Sequence, residues 1–222
     1  MYFKIFAILS AKLKKVELLI MKSFFITLEG VDGAGKTTQI ELLRQIPLAQ
    51  NWLFTRNPGG TSFGQKLREI LLNDRTCQLH EMAELFLYMA DRAQHIHEII
   101  QPALRNGQIV ICDRFIDSTL AYQGYGRGLN TELIKQLNKI ATSDLKPDLT
   151  ILFDINPKIG LERAKSKDKI EEEGLDFQQK IRLGFLQLVS EEPERFVIID
   201  TEKNNIQEAH QKVIESIFKL IN

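Results

Sequence analysis

The run Gly30-Val31-Asp32-Gly33-Ala34-Gly35-Lys36-Thr37 has the residue types and spacing needed to hold a polyphosphate. Its glycines let consecutive backbone N–H groups turn inward onto phosphate oxygens, and a helix opening at its end adds the positive end of its dipole. Lys36 reaches the β- and γ-phosphates, and the hydroxyl of Thr37 ligates Mg²⁺. An apolar strand leads into the run and a helical pattern leaves it, a context that a chance glycine-rich turn lacks. Asp113 ends a second apolar run, where a carboxylate can hold the same magnesium through water. Alone it would mean little, since strands often end in aspartate.

A phosphate-binding loop does not say what the phosphate is transferred to. A guanine reader of the Asn-Lys-x-Asp kind is missing its aspartate at Asn138-Lys139-Ile140-Ala141, and Val31 and Asp32 occupy the place where partitioning-type ATPases carry an extra lysine. Arg56 and Arg114 each fall at the end of an expected strand, on the sheet edge where ligands sit in open α/β folds. Two guanidinium groups there can clamp a second phosphate; for either one alone, a surface salt bridge is the alternative. An acceptor that is already a phosphate anion needs no general base, so catalysis reduces to alignment and charge neutralisation.

Two further patterns point inward. Leu85, Met89, Arg92 and Ile96 share one helix face, and a charge on a buried stripe wants a partner. Tyr88 lies one turn before Arg92. Snorkelling of Arg92 at the helix edge, with Tyr88 as ordinary core, is the plainer alternative. In Ser118-Thr119-Leu120-Ala121-Tyr122-Gln123 the polar side chains recur on one face of a short helix, which read alone would be simply solvated. His80, His95 and His97 show no ligand-like grouping and read as solvated.

The elements that must position these residues alternate regularly. Residues 24–28, 52–55, 108–112, 149–154 and 196–200 read as short buried strands, with helices expected at 37–45, 62–72, 81–105, 131–141, 157–165, 175–189 and 206–220. Five strands joined by crossover helices imply an α/β fold with a five-stranded parallel sheet flanked by helices. The 222 residues suit a single domain over 21–222, long enough to bury a core without staples. The charge-dense interval 163–174 reads as a mobile lid.

Lys plus Arg and Asp plus Glu both number 29, so no global field favours nucleic acid or an anionic membrane, and phosphate recognition must be local. Cys77 and Cys112 form no disulfide framework, which fits a reducing cytoplasm. The first twenty residues hold an apolar stretch too short to span a bilayer, followed closely by lysines. A basic amphipathic targeting helix is one reading. Residues added by an upstream start codon, with Met21 opening a complete strand, are the other.

Five segments in order resemble the bacterial-type thymidylate kinases: GVDGAGKTT at 30–38, TRNPGGT at 55–61, YMADRAQH at 88–95, DRFIDSTLAYQGYGRG at 113–128 and PDLTILFDI at 147–155. The resemblance implies the P-loop nucleoside monophosphate kinase fold, transfer of the γ-phosphate of ATP to dTMP, Mg²⁺ dependence, a short basic lid and a homodimer. It assigns ATP to residues 30–38, including Thr38, and to the lid residues Arg163 and Lys169. Lys36, Arg56, Arg114 and Asp32 carry the transfer, with Asp32 near the sugar or phosphate of the acceptor. Arg92 reads thymine O4, Tyr88 stacks on the ring, Ser118 and Thr119 meet the base edge, Tyr122 crowds the ribose 2′ position, and Gln123 and Glu171 complete the acceptor site. The sequence departs from relatives at Asn57, where they often have Glu, and at Lys169, where they often have Arg. The transition-state cation is therefore open among Arg163, Lys165, Lys167 and Lys169.

Two other classes share a phosphate-binding loop. A non-catalytic nucleotide sensor is disfavoured by the joint presence of Lys36, Thr37, Asp113, Arg56 and Arg114. A nucleoside kinase needs a carboxylate base where this chain has Arg56 and Asn57.

Overall fold

The structure, a computed structural model, describes residues 23–163 and 169–222. The N-terminal extension expected at 1–20 and the lid residues 164–168, with Lys165 and Lys167, lie outside the described residues, as does the side chain of Glu171.

Strands β1 (Phe24–Glu29), β2 (Leu53–Arg56), β3 (Ile109–Asp113), β4 (Leu149–Asp154) and β5 (Phe196–Asp200) form one parallel sheet in the order β2-β3-β1-β4-β5. They form because short runs rich in Ile, Val, Leu and Phe can be buried on both faces of a sheet. Two polar residues among them satisfy one another: Thr27 and Thr150 share a 2.9 Å hydrogen bond across β1 and β4.

Helices α1 (Lys36–Arg44), α2 (Ser62–Leu72), α3 (Glu81–His95), α4 (Gln101–Arg105), α5 (Ile116–Thr119), α6 (Thr131–Thr142), α7 (Pro157–Arg163), α8 (Leu175–Glu191) and α9 (Ile206–Ile221) flank it. One apolar cluster joins Ile26, Leu28 and Ile111 of the sheet to α1, α3, α8 and α9 residues such as Leu43, Leu85, Phe185 and Val213. The other joins Phe25, Val110 and Cys112 to Ile96, Ile100 and Phe115. Cys112 is a small buried hydrophobe, its thiol pushed well up by burial. Among the described residues no helix is long and apolar enough to cross a membrane.

The helix expected over 81–105 spans those residues without a gap but is not α-helical throughout. A π-helical turn at Ile96–Ile100 separates α3 from α4. Pro102 explains it: with no N–H to give and a ring that crowds the carbonyl four residues back, it cannot sit in an undisturbed α-helical ladder. A second π turn, Leu120–Gly126, extends α5 and packs along α8.

Register fixes where the chemistry can be. β1 lies between β3 and β4, so the chain departs to opposite sides there and leaves a crevice at the carboxyl ends of the strands. Leu28 pairs with Asp113, and Asp113 with Arg56, so the end of β1, Asp113 and Arg56 stand at one level of that edge.

Candidate active site

The loop after β1 is held open by backbone that only glycine tolerates well. Gly30 has φ 137°, and a Cβ there would stand 2.4 Å from the carbonyl oxygen of Phe153. α1 then begins at Gly35 with no side chain accepting its first N–H groups, whereas Thr61, His80, Asn130 and Asn205 cap α2, α3, α6 and α9. Uncapped donors at a helix start are an anion site. Lys36 is folded back on its own loop, Nζ donating to the carbonyls of Gly30 at 2.9 Å and Val31 at 3.0 Å. Burial and then the nearby Arg114 bring its ammonium down to about 8.

This loop borders a cavity of about 1030 Å³ lined by residues 32–39, Asp113, Arg163, Phe153 and the segment after β5. Thr37 and Asp113 both line it. Asp113 Oδ1 is buried with no hydrogen-bond partner, and an orphaned carboxylate oxygen on the same cavity wall as a hydroxyl offers the oxygen ligands that a hard divalent cation takes. The donor set therefore fits Mg²⁺.

A second, tighter cavity of about 70 Å³ opens beside it. Its wall includes Tyr88, Arg92, Ser118, Thr119, Tyr122 and Gln123 from the sequence expectation, joined by Asn57, Pro58, Leu72 and Ile170. Asp32, Arg68 and Arg114 line both cavities, so they stand at the junction.

Arg114 is the hub of that junction. Its Nη1 donates to Gly30 O at 2.8 Å and to Ser118 Oγ at 3.3 Å, its Nη2 pairs with Asp32, and its guanidinium lies 5.0 Å from the centroid of the Tyr122 ring. Tyr122 in turn donates its hydroxyl to Asp32 Oδ2 at 3.1 Å. Burial works to raise the Asp32 carboxyl, but Arg114 and Lys36 outweigh it and hold it below its ordinary value. Burial likewise opposes the charge on Arg114, and Asp32 together with Tyr122, Asp113 and Glu29 more than compensates.

Arg92 is 1 % exposed, the largest fully buried side chain of the described residues. Its guanidinium donates to Asn57 Oδ1 from Nε at 3.1 Å and Nη2 at 2.7 Å, to Asn138 Oδ1 at 2.5 Å, to the carbonyl of Phe115 at 3.1 Å and to Thr119 Oγ1 at 2.8 Å. Burial brings it down to about 10, so it stays charged at neutral pH. The partner that the sequence pattern required is this set of neutral oxygens.

Of the other expected residues, Arg56 and Lys169 lie off both cavities, whereas Gln123 and Arg163 stay on their walls. Arg56 is exposed and lines neither cavity, though it is close enough to Arg68 to help depress that guanidinium's pKa, after burial. Gln123 is 1 % exposed and gives its amide to Glu84 Oε1 at 2.8 Å. Arg163 is exposed at the rim of the large cavity. Lys169 lines neither cavity; its Nζ donates to the carbonyls of Ile70 at 3.2 Å and Cys77 at 3.1 Å, at the end of α2.

The expectation that all three of His80, His95 and His97 are solvated fails for His95. That ring is fully buried, its Nε2 sits 2.6 Å from Thr55 Oγ1, and burial followed by Arg92 pushes it down to about 4. It is a neutral wedge beneath the 57–60 turn, where Gly60 leaves it room.

Sequence reasoning missed Arg68, Glu29 and the Asn57–Asp91 pair. Arg68 donates to Pro58 O at 3.0 Å. Its signal was present: it falls one turn after Gly64 on the face of α2 that buries Gly64, Leu67 and Leu71. Asn57 donates to Asp91 Oδ2, and Asp91 Oδ1 accepts from Gly59 N at 3.0 Å; a cis peptide joins Asn57 to Pro58.

Comparison with known proteins places this geometry. The thymidylate kinase family model matches residues 28–213. The thymidylate kinase of Desulfovibrio desulfuricans is 50% identical over 191 residues, covering 81% of this chain and 88% of that relative. That of Sulfurihydrogenibium sp. is 48% identical over 197 residues, covering 87% and 96%. The crystal structure of thymidylate kinase from Ehrlichia chaffeensis superposes with a TM-score of 0.73 at 37% identity, covering 89% of this chain and 99% of that one.

Proposed function

The chain belongs to the thymidylate kinase family, an ATP-dependent kinase that phosphorylates dTMP to dTDP, and from that premise we propose which of its residues handle each part of the transfer. The observation that carries the assignment is the meeting of two cavities at Asp32, Arg68 and Arg114.

ATP lies in the larger cavity. Its β- and γ-phosphates rest on the N–H groups of residues 30–38, and Lys36 exchanges its two carbonyl partners for phosphate oxygens. Thr37 and Asp113 would hold Mg²⁺, which would supply charge neutralisation on the phosphates. Arg163, at the rim, is the described lid cation best placed to join them.

dTMP binds at the mouth of the smaller cavity. Arg114 and Arg68 clamp its phosphate at the junction, with Arg56 adding charge at the same sheet edge. A phosphate oxygen of dTMP attacks the γ-phosphorus, the bond to the β–γ bridging oxygen breaks, and ADP leaves with that electron pair. The buried Arg92 faces the base, Tyr88 lies against the ring, and Tyr122 stands by the sugar. Asp32 fixes Arg114 and Tyr122 relative to one another.

The enzyme works in the cytoplasm as a homodimer. Support for pairing comes from Phe63 of α2 and Phe86 of α3, which leave large apolar side chains 44 % and 53 % exposed on two helices that pack together.

A panel of nucleoside monophosphates with ATP and Mg²⁺, followed by ADP release, tests the reading. dTMP should be the preferred acceptor; preference for dCMP would sink the base assignment, and ADP release independent of any acceptor would sink the transfer itself.

A further inference from the structure

Glu29 closes β1 immediately before the phosphate loop. It is 0 % exposed, and no role assigned above uses it. A buried carboxylate wants either a cation or a full set of donors. Among the described ion pairs Glu29 has none; instead Oε1 accepts from the N–H of Phe115 at 2.7 Å and Oε2 from the hydroxyl of Ser118 at 2.5 Å.

Both donors flank Arg114. A serine hydroxyl has one proton, and with that proton committed to Glu29 its oxygen can only accept from Arg114 Nη1, 3.3 Å away. The backbone of Arg114 sits at φ 64°, a region that disfavours side chains, so it must be held by its neighbours. Its own N–H donates to Leu28 O at 3.1 Å, and the next N–H is the one Glu29 takes.

We infer that Glu29 is a positioning residue for phosphoryl transfer: by accepting the proton of Ser118 and the N–H of Phe115 it aims the Arg114 guanidinium at the junction of the two cavities. This rests on the reading of Arg114 as the clamp on the acceptor phosphate. Neutral glutamine cannot replace it. A glutamine side chain has one accepting oxygen, so its amide nitrogen faces Ser118 as a donor, turns the hydroxyl proton toward Arg114 and sets donor against donor.

The test is steady-state kinetics in both substrates at pH 8.5, where the Glu29 carboxyl, raised to about 7 by burial, is ionised and accepts from both donors, on Glu29→Gln, Ser118→Ala, the double variant and Arg114→Ala, with circular dichroism to confirm folding. Glu29→Gln should lower kcat/KM for dTMP by roughly tenfold while leaving the KM for ATP within about twofold of wild type. Placed on Ser118→Ala, it should cost less than about twofold more, because the route through the hydroxyl is already cut. Independent, multiplying effects, or a KM for ATP that rises in parallel, overturn the inference. If Glu29→Gln does not fold, Ser118→Ala alone decides: wild-type dTMP kinetics in that variant overturn it. Arg114→Ala separates the two levels of argument. If it leaves dTMP turnover intact, the clamp reading falls and takes this inference with it; if it cripples turnover while the cycle multiplies, only the inference falls.

Discussion

The side-chain oxygen of Asn57 accepts both Nε and Nη2 of Arg92, at 3.1 and 2.7 Å, and the amide nitrogen of Asn57 donates to Asp91. An amide thus stands between a buried guanidinium and the nearest carboxylate on its own helix, and it fixes the plane of Arg92 without neutralising it. Asn57→Ala should leave the Nε–H of Arg92 without its acceptor, while Nη2 keeps Phe115 O and Thr119 Oγ1. The cost is about 1–3 kcal/mol of stability in denaturant unfolding, with a raised KM for dTMP and an unmoved KM for ATP. Unchanged stability would show that water takes over the role of the amide.

Lys36→Ala should abolish phosphoryl transfer with the fold intact. The ammonium's described hydrogen-bond partners are two loop carbonyls, and Lys36 itself lines the large cavity, where water can replace it. Its loss removes charge from the phosphates and little from the core. Turnover should drop by at least about a hundredfold, with an unaltered circular dichroism spectrum. Wild-type-like turnover would remove Lys36 from the mechanism.

The strands and the phosphate loop were legible in the sequence because their signals are local. Apolar runs of four to six residues, a glycine-rich turn and a following helix need no knowledge of distant contacts. What the sequence could not show depends on the third dimension. Glu29 looks like an ordinary strand end until β3 places Phe115 and Ser118 over it, and Asn57 looks like a loop residue until α3 carries Arg92 and Asp91 against it. His95 reads as solvated because no helical spacing reveals that the 57–60 turn folds over it. Lys169 reads as a lid cation from its charge and neighbours, whereas its ammonium is held by carbonyls at the end of α2.

Glu29 also makes a prediction about pH. Burial first, then repulsion from Asp117, raise its carboxyl to about 7, against the opposing pull of Arg114; Lys36 and Arg92 lie within electrostatic reach. The folded state therefore binds this proton more tightly than the unfolded chain, whose carboxyl titrates near 4.5. The stability from the protonated form is fully present below that value and is lost as pH rises through about 7. The melting temperature of wild type minus that of Glu29→Gln should fall from pH 5 to pH 8, on the order of a few degrees. Groups shared by both proteins cancel in the difference, including Asp32, whose depressed carboxyl titrates at lower pH. A flat or rising difference would mean that Glu29 is ionised throughout.

Tyr122 combines two properties that separate variants can pull apart. Its ring is 7 % exposed in the wall of the smaller cavity, packed edge-on against Phe185 at 6.3 Å, and its hydroxyl donates to Asp32. If bulk beside the sugar excludes a ribose 2′-hydroxyl, Tyr122→Phe should keep the preference for deoxyribonucleotide, because the ring remains. It should still lose turnover, since Asp32 loses one of the two groups that hold it and Arg114 loses a fixed partner. One neutral-to-charged hydrogen bond is worth about 1.5–3 kcal/mol, so the loss should be roughly ten- to a hundredfold in kcat/KM. Tyr122→Ala removes ring and hydroxyl together, and with them the 5.0 Å cation–π contact to Arg114. It should lose as much turnover and, in addition, narrow the gap between dUMP and UMP as acceptors by about tenfold, the worth of one relieved steric contact. Measuring kcat/KM for dTMP, dUMP and UMP on the three proteins checks each part. Equal discrimination in wild type and Tyr122→Ala would place the 2′ reader on another side chain, and full activity in Tyr122→Phe would show that Asp32 holds Arg114 without help from the phenol.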